Sequence, residues 1–487
     1  MPQAVSQPES PGRLVPLCVD LDGTLVKSDT LVDSLLVLMR TRPLQMLRLP
    51  GMVLKGKAAF KAFVTSSVVL DVAHLPYNRT LLEYLEGERA RGRSIYLATG
   101  ADARLAQRVA DHLGIFEGVL GSDGATNLTG SKKLTSLKAR LSAENDSSAF
   151  NYIGNDTPDL PLLEEATEPM VANPSAGLRR GMKSRGIRPV QTFNEARHPL
   201  RSLVKAARPH QWAKNLLIFL PVLLSHALYP AKLLAGLAAF CCFSLTASST
   251  YMFNDLLDIE ADRRHPRKQF RPFASGDLSG LTGLATAAIL LILGLIGGGI
   301  LGGRLFIWLL VYLATTVSYS WYLKRIALVD VLVLSGLYTL RMQAGSAATG
   351  TPISHWLAGL SIFLFLSLAV VKRFAELENL RMSGSPLKNG RGYLISDSEQ
   401  LRAFGTASGY AAVVVFAIYI SSQDVTVLYR HPSTLWLIVP LIILWISRIW
   451  LLASRGELNE DPVVFALTDR LSLLIGVAVG VVAFAAL

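Results

Sequence analysis

The sequence predicts two domains of different class: an N-terminal α/β domain and a C-terminal all-α polytopic membrane domain of about nine transmembrane helices. Of the 487 residues, 51% are hydrophobic and only 17% are charged, whereas soluble proteins carry about a quarter charged residues. Nearly all the long apolar runs lie after residue 200, so these averages combine a soluble part with a membrane part. This composition excludes a disordered chain, a coiled coil and an ordinary cytosolic enzyme.

The first strand of the α/β domain is predicted at residues 15–19, a short apolar run that leads into Asp20-Leu-Asp22-Gly23-Thr24. An aspartate at the end of such a strand can attack phosphorus as a nucleophile. A second aspartate two residues later is close enough to protonate a leaving oxygen. Gly23 allows the chain to turn sharply. The pattern is therefore typical of phosphoryl transfer.

Four motifs in order resemble the haloacid dehalogenase-like (HAD) hydrolase superfamily over roughly residues 14–190. After Asp20 and Asp22 come an apolar strand that ends at Thr99, then Lys133, and then the acidic segment at 154–159. The resemblance implies a HAD-like Rossmannoid domain with a helical cap at residues 30–75. It also implies a phosphate bound by Thr99 and Lys133, with Lys132 and Lys138 as alternatives to Lys133. The implied Mg²⁺ ligands are Asp20, Asp22, Asn155, Asp156 and Asp159.

One position departs from the HAD pattern. The family usually has Gly-Asp where this chain has Gly154-Asn155. An asparagine still offers a carbonyl oxygen to a metal but brings no charge. An active hydrolase and a degenerate domain that serves as a scaffold or regulator therefore both remain open.

The membrane domain is predicted from nine apolar stretches of about 20 residues, the length that crosses a bilayer. They fall at roughly 213–230, 232–253, 281–301, 304–321, 326–346, 354–371, 401–421, 433–452 and 467–487. Basic residues concentrate after the second, fourth, sixth and eighth stretches, and the positive-inside rule puts those connections in the cytoplasm. We therefore expect a multi-pass protein of the inner (plasma) membrane, with the N-terminal domain and the active sites cytoplasmic and the C-terminus on the opposite side.

These observations predict four consecutive regions. Residues 1–13 are rich in Pro and Ser and are expected to be disordered. Residues 14–190 form the HAD-like domain, and 191–212 form an amphipathic linker on the anionic leaflet. Residues 213–487 form the membrane domain.

The second apolar stretch ends in an acidic motif that contains Asn254, Asp255, Asp258 and Asp262. If the helix continues, its three aspartates are spaced at i, i+3 and i+7 and share one face. Such a stripe is tolerated when a divalent cation neutralises it, and Mg²⁺ prefers oxygen ligands and bridges to substrate phosphates. The motif therefore predicts a magnesium site, with these four residues as ligands.

The acidic motif, the segment 271–276 and the segment 319–325 resemble the UbiA superfamily of membrane transferases over roughly residues 200–487. Prenyltransferases of this superfamily usually carry a second Asp-rich motif after the sixth span. Here that segment begins with Lys372 and Arg373 instead. One acidic and one basic cluster resemble the decaprenyl-phosphate phosphoribosyltransferase branch.

That resemblance implies transfer of 5-phosphoribose from phosphoribosyl pyrophosphate to a polyprenyl phosphate, with Asp255 and Asp258 as catalytic residues. The implied substrate-binding residues are Arg267, Lys268, Arg271, Lys324, Asp330, Lys372 and Arg373. Asp330 is an intramembrane acid and so a candidate site residue, although it could instead pair with Lys324 or Arg325. Arg341 in the same predicted span has no assigned role.

Two other functions remain open. The chain could be a UbiA-type prenyltransferase that uses a prenyl diphosphate and an aromatic or other acceptor, or a non-catalytic membrane protein whose soluble part senses or recruits. The fusion also suggests that the HAD-like domain removes the phosphate of the phosphoribosyl lipid. We expect membrane lipids but no nucleic acid as partners, because the basic residues are scattered over membrane loops. Isoprenoid length and homo-oligomerisation stay undetermined.

Overall fold

A computed structural model describes residues 14–145, 148–195, 198–382, 391–458 and 462–487. The segment 1–13, which is expected to be disordered, lies outside the described residues. The chain divides into two compact units. The N-terminal unit comprises Met1–Ala206 and Met252–Ala285, and the C-terminal unit comprises Ala207–Tyr251 and Thr286–Leu487. The acidic motif at 254–262 thus belongs to the same unit as the N-terminal domain.

The N-terminal unit contains a six-stranded parallel sheet, which confirms the predicted α/β class. Its strands are β1 (Leu17–Val19), β2 (Ile95–Asp102), β3 (Gly118–Ser122), β4 (Asn151–Gly154), β5 (Pro169–Ala172) and β6 (Gln191–Phe193), in the order β3-β2-β1-β4-β5-β6. Leu17 and Val19 pack into one apolar cluster and Cys18 into another, as successive side chains of a strand do. Both faces of the central strand are therefore covered.

Helices surround this sheet. Residues inserted between β1 and β2 form α1 (Thr30–Thr41), a 3₁₀ turn (Pro43–Arg48), α2 (Leu49–Leu54), α3 (Lys57–Ser67) and α4 (Arg79–Ala90). The later helices are α5 (Ala103–Leu113), α6 (Ser131–Asn145), α7 (Leu160–Glu165), α8 (Ala176–Arg185) and α9 (Pro199–Ala207). We call the segment from α1 to α3 the cap.

The remaining helices lie mainly in the membrane domain. They are α10 (Leu220–Leu224), α11 (Pro230–Leu257), α12 (Ile259–Arg264), α13 (Gly280–Leu301), α14 (Gly303–Trp321), α15 (Val329–Thr349), α16 (His355–Met382), α17 (Ser398–Ser421), α18 (Gln423–Thr426), α19 (Ile438–Ser454), α20 (Pro462–Thr468) and α21 (Arg470–Ala486). Along α13 the side chains of Ile289, Ile292 and Ile296 are exposed. Apolar side chains in that position are stable in contact with lipid.

Five helical stretches in the described part of the chain are long and apolar enough to cross a membrane, so the predicted count of nine is not confirmed. They are Pro230–Leu257, Gly280–Leu301, His355–Met382, Ile395–Ser421 and Pro432–Ser454, and Arg470–Ala486 is a shorter apolar helix. The first predicted span is instead a 3₁₀ segment (Pro209–Phe219) followed by the short α10. Polar residues lower the mean hydropathy of α14, which contains Arg304, and of α15, which contains Asp330 and Arg341.

Candidate active sites

The phosphoryl-transfer motifs meet at the carboxyl ends of three neighbouring strands. Asp20 directly follows β1, Thr99 lies in β2 and Asn155 directly follows β4. Parallel strands end at the same edge of a sheet, where open α/β folds bind ligands. The Thr99 side chain is buried, and its hydroxyl accepts a hydrogen bond from the N–H of Ala101 (3.0 Å).

Lys133 lies at the centre of this first site. Its buried ammonium donates to Asp20 Oδ1 (2.9 Å), Asp159 Oδ1 (3.0 Å) and the hydroxyl of Tyr152 (2.8 Å). Burial disfavours its charge, but Asp159 and Asp20 outweigh that effect and raise the pKa of Lys133. The two alternative lysines lie elsewhere, because Lys132 is exposed and Lys138 pairs with Glu165 on the surface.

The two aspartates of the first motif occupy different electrostatic environments. Burial raises the pKa of Asp20 to about 6, and the charge of Lys133 opposes this rise. Burial and the neighbouring Asp29 raise the pKa of Asp22 to about 8, although Asp22 Oδ1 accepts a hydrogen bond from Thr30 N–H (2.8 Å). The Asp22 carboxyl is thus the weaker acid of the two, as a general acid beside a nucleophile should be.

Asn155 and Asp159, in the segment that follows β4, make different contacts. A Cβ added at Gly23, whose φ is +75°, would lie 2.0 Å from Asn155 Nδ2, so the Asn155 amide packs directly on the Asp20–Asp22 turn. Asp159 instead accepts hydrogen bonds from Lys133 and Tyr152 at Oδ1 and from backbone N–H groups at Oδ2. Asp159, which the sequence predicts as a metal ligand, therefore also positions the Lys133 ammonium.

Asp156 also differs from the expectation, because its exposed side chain accepts a hydrogen bond from Ser175 (2.7 Å). No group of three or more His, Cys, Asp or Glu side chains in the described ranges is arranged to hold a metal. The Asp20 carboxylate and the Asn155 amide oxygen nevertheless fit Mg²⁺, which commonly takes one or two carboxylates and keeps several waters.

The cap contributes a lysine that sequence reasoning missed. Lys61 of α3 donates to the carbonyl of Gly100 (2.6 Å) and to Asn127 Oδ1 (2.9 Å). It lines a cavity of about 60 Å³ together with Asp22, Asp29 and Thr30. Burial lowers the pKa of Lys61, and Asp22 opposes this effect. No motif marks this residue, and its only sequence signal is its place in a cap that is rich in basic residues.

The second candidate site is the acidic motif, in which the helix is interrupted at Asp258. Helix α11 ends at Leu257 and α12 begins at Ile259, while the Asp258 N–H still bonds to the Asn254 carbonyl (2.9 Å). Asp255 and Asp262 are buried and both accept from Nη1 of Arg271, at 3.1 and 2.7 Å. The predicted common face is thus realised for these two aspartates.

The two carboxylates suit a divalent cation, because they lie close enough to share one positive group, the guanidinium of Arg271. Burial raises the pKa of Asp262, and Arg271 opposes that rise. Asp258 Oδ1 lies 3.4 Å from a guanidinium nitrogen of Arg40, which belongs to the cap. Arg267 and Lys268 are exposed on the loop that follows α12.

The acidic motif is anchored to the cap by a buried ion pair that the sequence did not indicate. Arg263 Nη2 donates to Asp33 Oδ2 (2.8 Å) and to the hydroxyl of Ser28 (3.1 Å), and both charged side chains are about 3% exposed. Ser28 itself donates to Asp33 (2.6 Å). A second, more exposed pair joins Arg264 to Asp71 (2.6 Å). The segment that carries Asp255 and Asp262 is therefore held by side chains of the cap and the loop after it.

In the C-terminal unit, Asp330 pairs with Arg373. The two side chains are fully buried, with Arg373 Nη2 3.1 Å from Asp330 Oδ1, and Tyr319 donates to the same oxygen (2.7 Å). Arg373 also bonds to Glu376 (2.6 Å). A buried guanidinium requires such compensation, so Arg373 and Asp330 brace each other.

Two other predicted residues and one unassigned residue complete this unit. Lys324 and Lys372 are half-buried. Arg341 is buried, donates to Asn215 Oδ1 (2.9 Å), and lies 5.3–5.6 Å from the ring centres of Phe243, Tyr312 and Tyr338. These cation–π contacts stabilise the buried charge.

Comparisons with known proteins agree with the acidic motif. The model of the UbiA prenyltransferase family matches residues 216–474, just over half of the chain. Protein y4nM of Sinorhizobium fredii is 36% identical over 472 residues, which cover 95% of this chain and 89% of that protein. Decaprenyl-phosphate phosphoribosyltransferase of Mycobacterium tuberculosis is 33% identical over 283 residues, 57% of this chain and 91% of that enzyme.

Among solved structures, a UbiA homologue from Archaeoglobus fulgidus bound to GPP and Mg²⁺ aligns with a TM-score of 0.44 and 17% identity, over 57% of this chain and 99% of that one. The match to y4nM spans nearly the whole chain, so both parts of this chain recur together in one relative. The chain belongs to the UbiA prenyltransferase family.

Proposed function

We propose that the membrane domain transfers 5-phosphoribose from phosphoribosyl pyrophosphate to a polyprenyl phosphate. The observation that carries the proposal is the 33% identity with decaprenyl-phosphate phosphoribosyltransferase over 91% of that enzyme. The site chemistry supports it, because one acidic pair (Asp255 and Asp262) suits a metal-bound pyrophosphate. A second Asp-rich motif is replaced by a segment that begins Lys372-Arg373.

In this mechanism Asn254, Asp255, Asp258 and Asp262 would hold Mg²⁺. When bound, Mg²⁺ neutralises the charge that develops on the leaving pyrophosphate. Arg271, Arg267 and Lys268 bind the phosphates of the donor, and Lys324 and Lys372 bind the phosphate of the acceptor. That phosphate is already anionic and needs no general base to attack the anomeric carbon, so these residues act mainly by positioning.

The N-terminal domain is proposed to hydrolyse the 5-phosphate of the phosphoribosyl lipid. Asp20 attacks phosphorus and forms an aspartyl phosphate, while Asp22 protonates the departing sugar oxygen. Water then cleaves the aspartyl phosphate, which releases inorganic phosphate and restores the carboxylate. Thr99 and Lys133 bind the phosphate oxygens, and the side chains of Asp20 and Asn155 would hold Mg²⁺. The higher pKa of Asp22 relative to Asp20 supports these roles.

Transfer is tested on the full-length protein in nanodiscs with ribose-labelled phosphoribosyl pyrophosphate and a polyprenyl phosphate. We expect label in the lipid fraction, its loss in Asp255→Asn, and unchanged transfer in the control Glu457→Gln, an exposed acid of the C-terminal unit. Failure to label the lipid, together with turnover of a prenyl diphosphate and an aromatic acceptor, would contradict the proposal.

Hydrolysis is tested on the lipid product of the same assay. The wild-type protein should release the 5-phosphate as inorganic phosphate, whereas Asp20→Asn and Lys133→Met should accumulate the phosphorylated lipid. Lys132→Met is the matched control, because the neighbouring side chain is exposed. If the wild-type protein also accumulates the phosphorylated lipid, the hydrolase assignment is wrong.

A further inference from the structure

The cap carries large apolar side chains that face solvent. In the 3₁₀ turn and α2, Leu44 is 80% exposed, Leu47 79%, Val53 58% and Leu54 89%. We call these four residues the cap tip. Exposed apolar side chains concentrated in one short segment of a protein mark an interaction surface.

The same segment is strongly basic. Between residues 34 and 70 the sequence contains six basic residues and neither Asp nor Glu. Four of the six flank the cap tip and are exposed: Arg42, Arg48, Lys55 and Lys57. A surface that combines leucines with uncompensated positive charge matches an anionic bilayer, which offers apolar chains beneath negative headgroups.

The cap also packs against the ends of two candidate membrane helices. A Cβ added at Gly280, the first residue of α13, would lie 2.9 Å from Val32 and 3.6 Å from Leu36, both on α1. Arg40 near the end of α1 pairs with Asp258, which directly follows α11. Leu44 is four residues after Arg40 and so at most about 14 Å away. The cap tip therefore begins close to the level at which α11 and α13 enter the bilayer.

We propose that the cap tip inserts into the interfacial layer of an anionic membrane. The four apolar side chains lie between the headgroups and the acyl chains, and the flanking Arg and Lys side chains contact lipid phosphates. Helix α9 has the same chemistry in the same unit, since Leu200 and Val204 are exposed beside basic residues. This observation agrees with the amphipathic linker that the sequence predicts.

A second copy of the chain is a poorer occupant of this surface. A symmetric self-contact places the same patch of each subunit against itself. The exposed arginines and lysines would then face one another, with no acidic residue of the segment 34–70 to offset them. An anionic leaflet removes that repulsion.

This inference deepens the proposed function of the N-terminal domain and rests on it in one respect, the lipid nature of the substrate. Lys61 of the same cap lines the cavity beside Asp22. A cap seated in the headgroup layer would bring that cavity to a phosphate carried by a lipid. A soluble substrate would gain nothing from such seating.

The direct test measures the depth of a spin label in full-length protein in nanodiscs that contain phosphatidylglycerol. Nitroxides are attached to Leu47→Cys and Leu54→Cys in a Cys241→Ala background, because Cys18 and Cys242 are buried. Val190→Cys is the control, since this exposed residue lies in the same unit but outside the cap. Power saturation then compares collisions with oxygen, which dissolves in lipid, and with a water-soluble nickel complex.

At the cap tip we expect oxygen collisions to exceed nickel collisions several-fold, and the reverse at Val190. Labels at Leu47 and Leu54 that behave like the Val190 label would overturn the proposal. Exclusion of both reagents would also overturn it, because this result indicates that protein, such as a second copy, covers the surface.

A kinetic test separates membrane seating from the hydrolase assignment. The triple variant Leu44→Glu, Leu47→Glu, Leu54→Glu should raise KM for the phosphorylated lipid about tenfold. Its hydrolysis of p-nitrophenyl phosphate should match that of the wild-type protein. Equal KM values for the lipid would count against seating. Absence of all phosphatase activity in the wild-type protein would refute the hydrolase assignment, and the spin-label result would still decide insertion.

Discussion

Replacing Asp33 by alanine leaves the guanidinium of Arg263 buried beside Ser28 and the carbonyl of Ala274. Both members of the ion pair are about 3% exposed, so water cannot replace the missing carboxylate. Breaking a buried ion pair from one side costs about 3–5 kcal/mol. Nη1 of Arg263 already lacks a hydrogen-bond partner among the described residues, so we expect a cost in the upper half of that range.

Because about 1.4 kcal/mol corresponds to a tenfold change in an equilibrium constant, this cost raises local opening of the acidic motif by a few hundred- to a few thousand-fold. Hydrogen–deuterium exchange of the full-length protein in nanodiscs measures that opening in peptides covering residues 259–276. Arg264→Ala is the matched control, since its pair with Asp71 is largely exposed and worth at most about 1 kcal/mol. An increase below tenfold for Asp33→Ala would refute the view that this pair holds the motif.

Magnesium affinity at the N-terminal site should rise with pH up to about 6 and then level off. Asp20, whose pKa is raised to about 6, must lose its proton to bind metal. Calorimetry in buffers of different ionisation enthalpy detects the released proton, and binding without it would contradict the raised pKa. Arg271→Ala removes the cation shared by Asp255 and Asp262. We expect tighter Mg²⁺ binding by titration but a higher KM for phosphoribosyl pyrophosphate, with the exposed Arg304→Ala as control; weaker Mg²⁺ binding would contradict the competition. Arg373→Lys keeps the charge but loses the two-pronged contact with Asp330. It should cost about 3 kcal/mol in thermal stability, whereas a melting temperature equal to that of the exposed control Arg402→Lys would show that the brace is dispensable.

Much of the first site could be predicted from the sequence, because its signals are local. An apolar run followed by Asp20 and Asp22 identifies a buried strand and the groups at its end, and the structure shows both in place. Local spacing does not decide which of Lys132, Lys133 and Lys138 binds the phosphate, since all three lie within two turns of α6. Only the packing of α6 on the sheet turns Lys133 inward and leaves Lys132 in solvent.

The membrane domain shows the same division. Hydropathy identified the apolar stretches, and the spacing of Asp255 and Asp262 indicated a shared face. Local spacing did not indicate that Arg271 would bridge these carboxylates, or that Arg373 would form a buried ion pair with Asp330. Polar side chains inside α14 and α15 lower the hydropathy of those two predicted spans, which are not among the five sufficiently apolar stretches of the described residues.

The sequence by itself determined the two domain classes and the positions of both acidic motifs, because each depends on residues close together in the chain. Tertiary structure alone decided which charges neutralise one another. Asp33 and Arg263 are 230 residues apart, and no periodicity relates them. They pair because folding buries both, and a charge removed from water must find its opposite within a few ångströms.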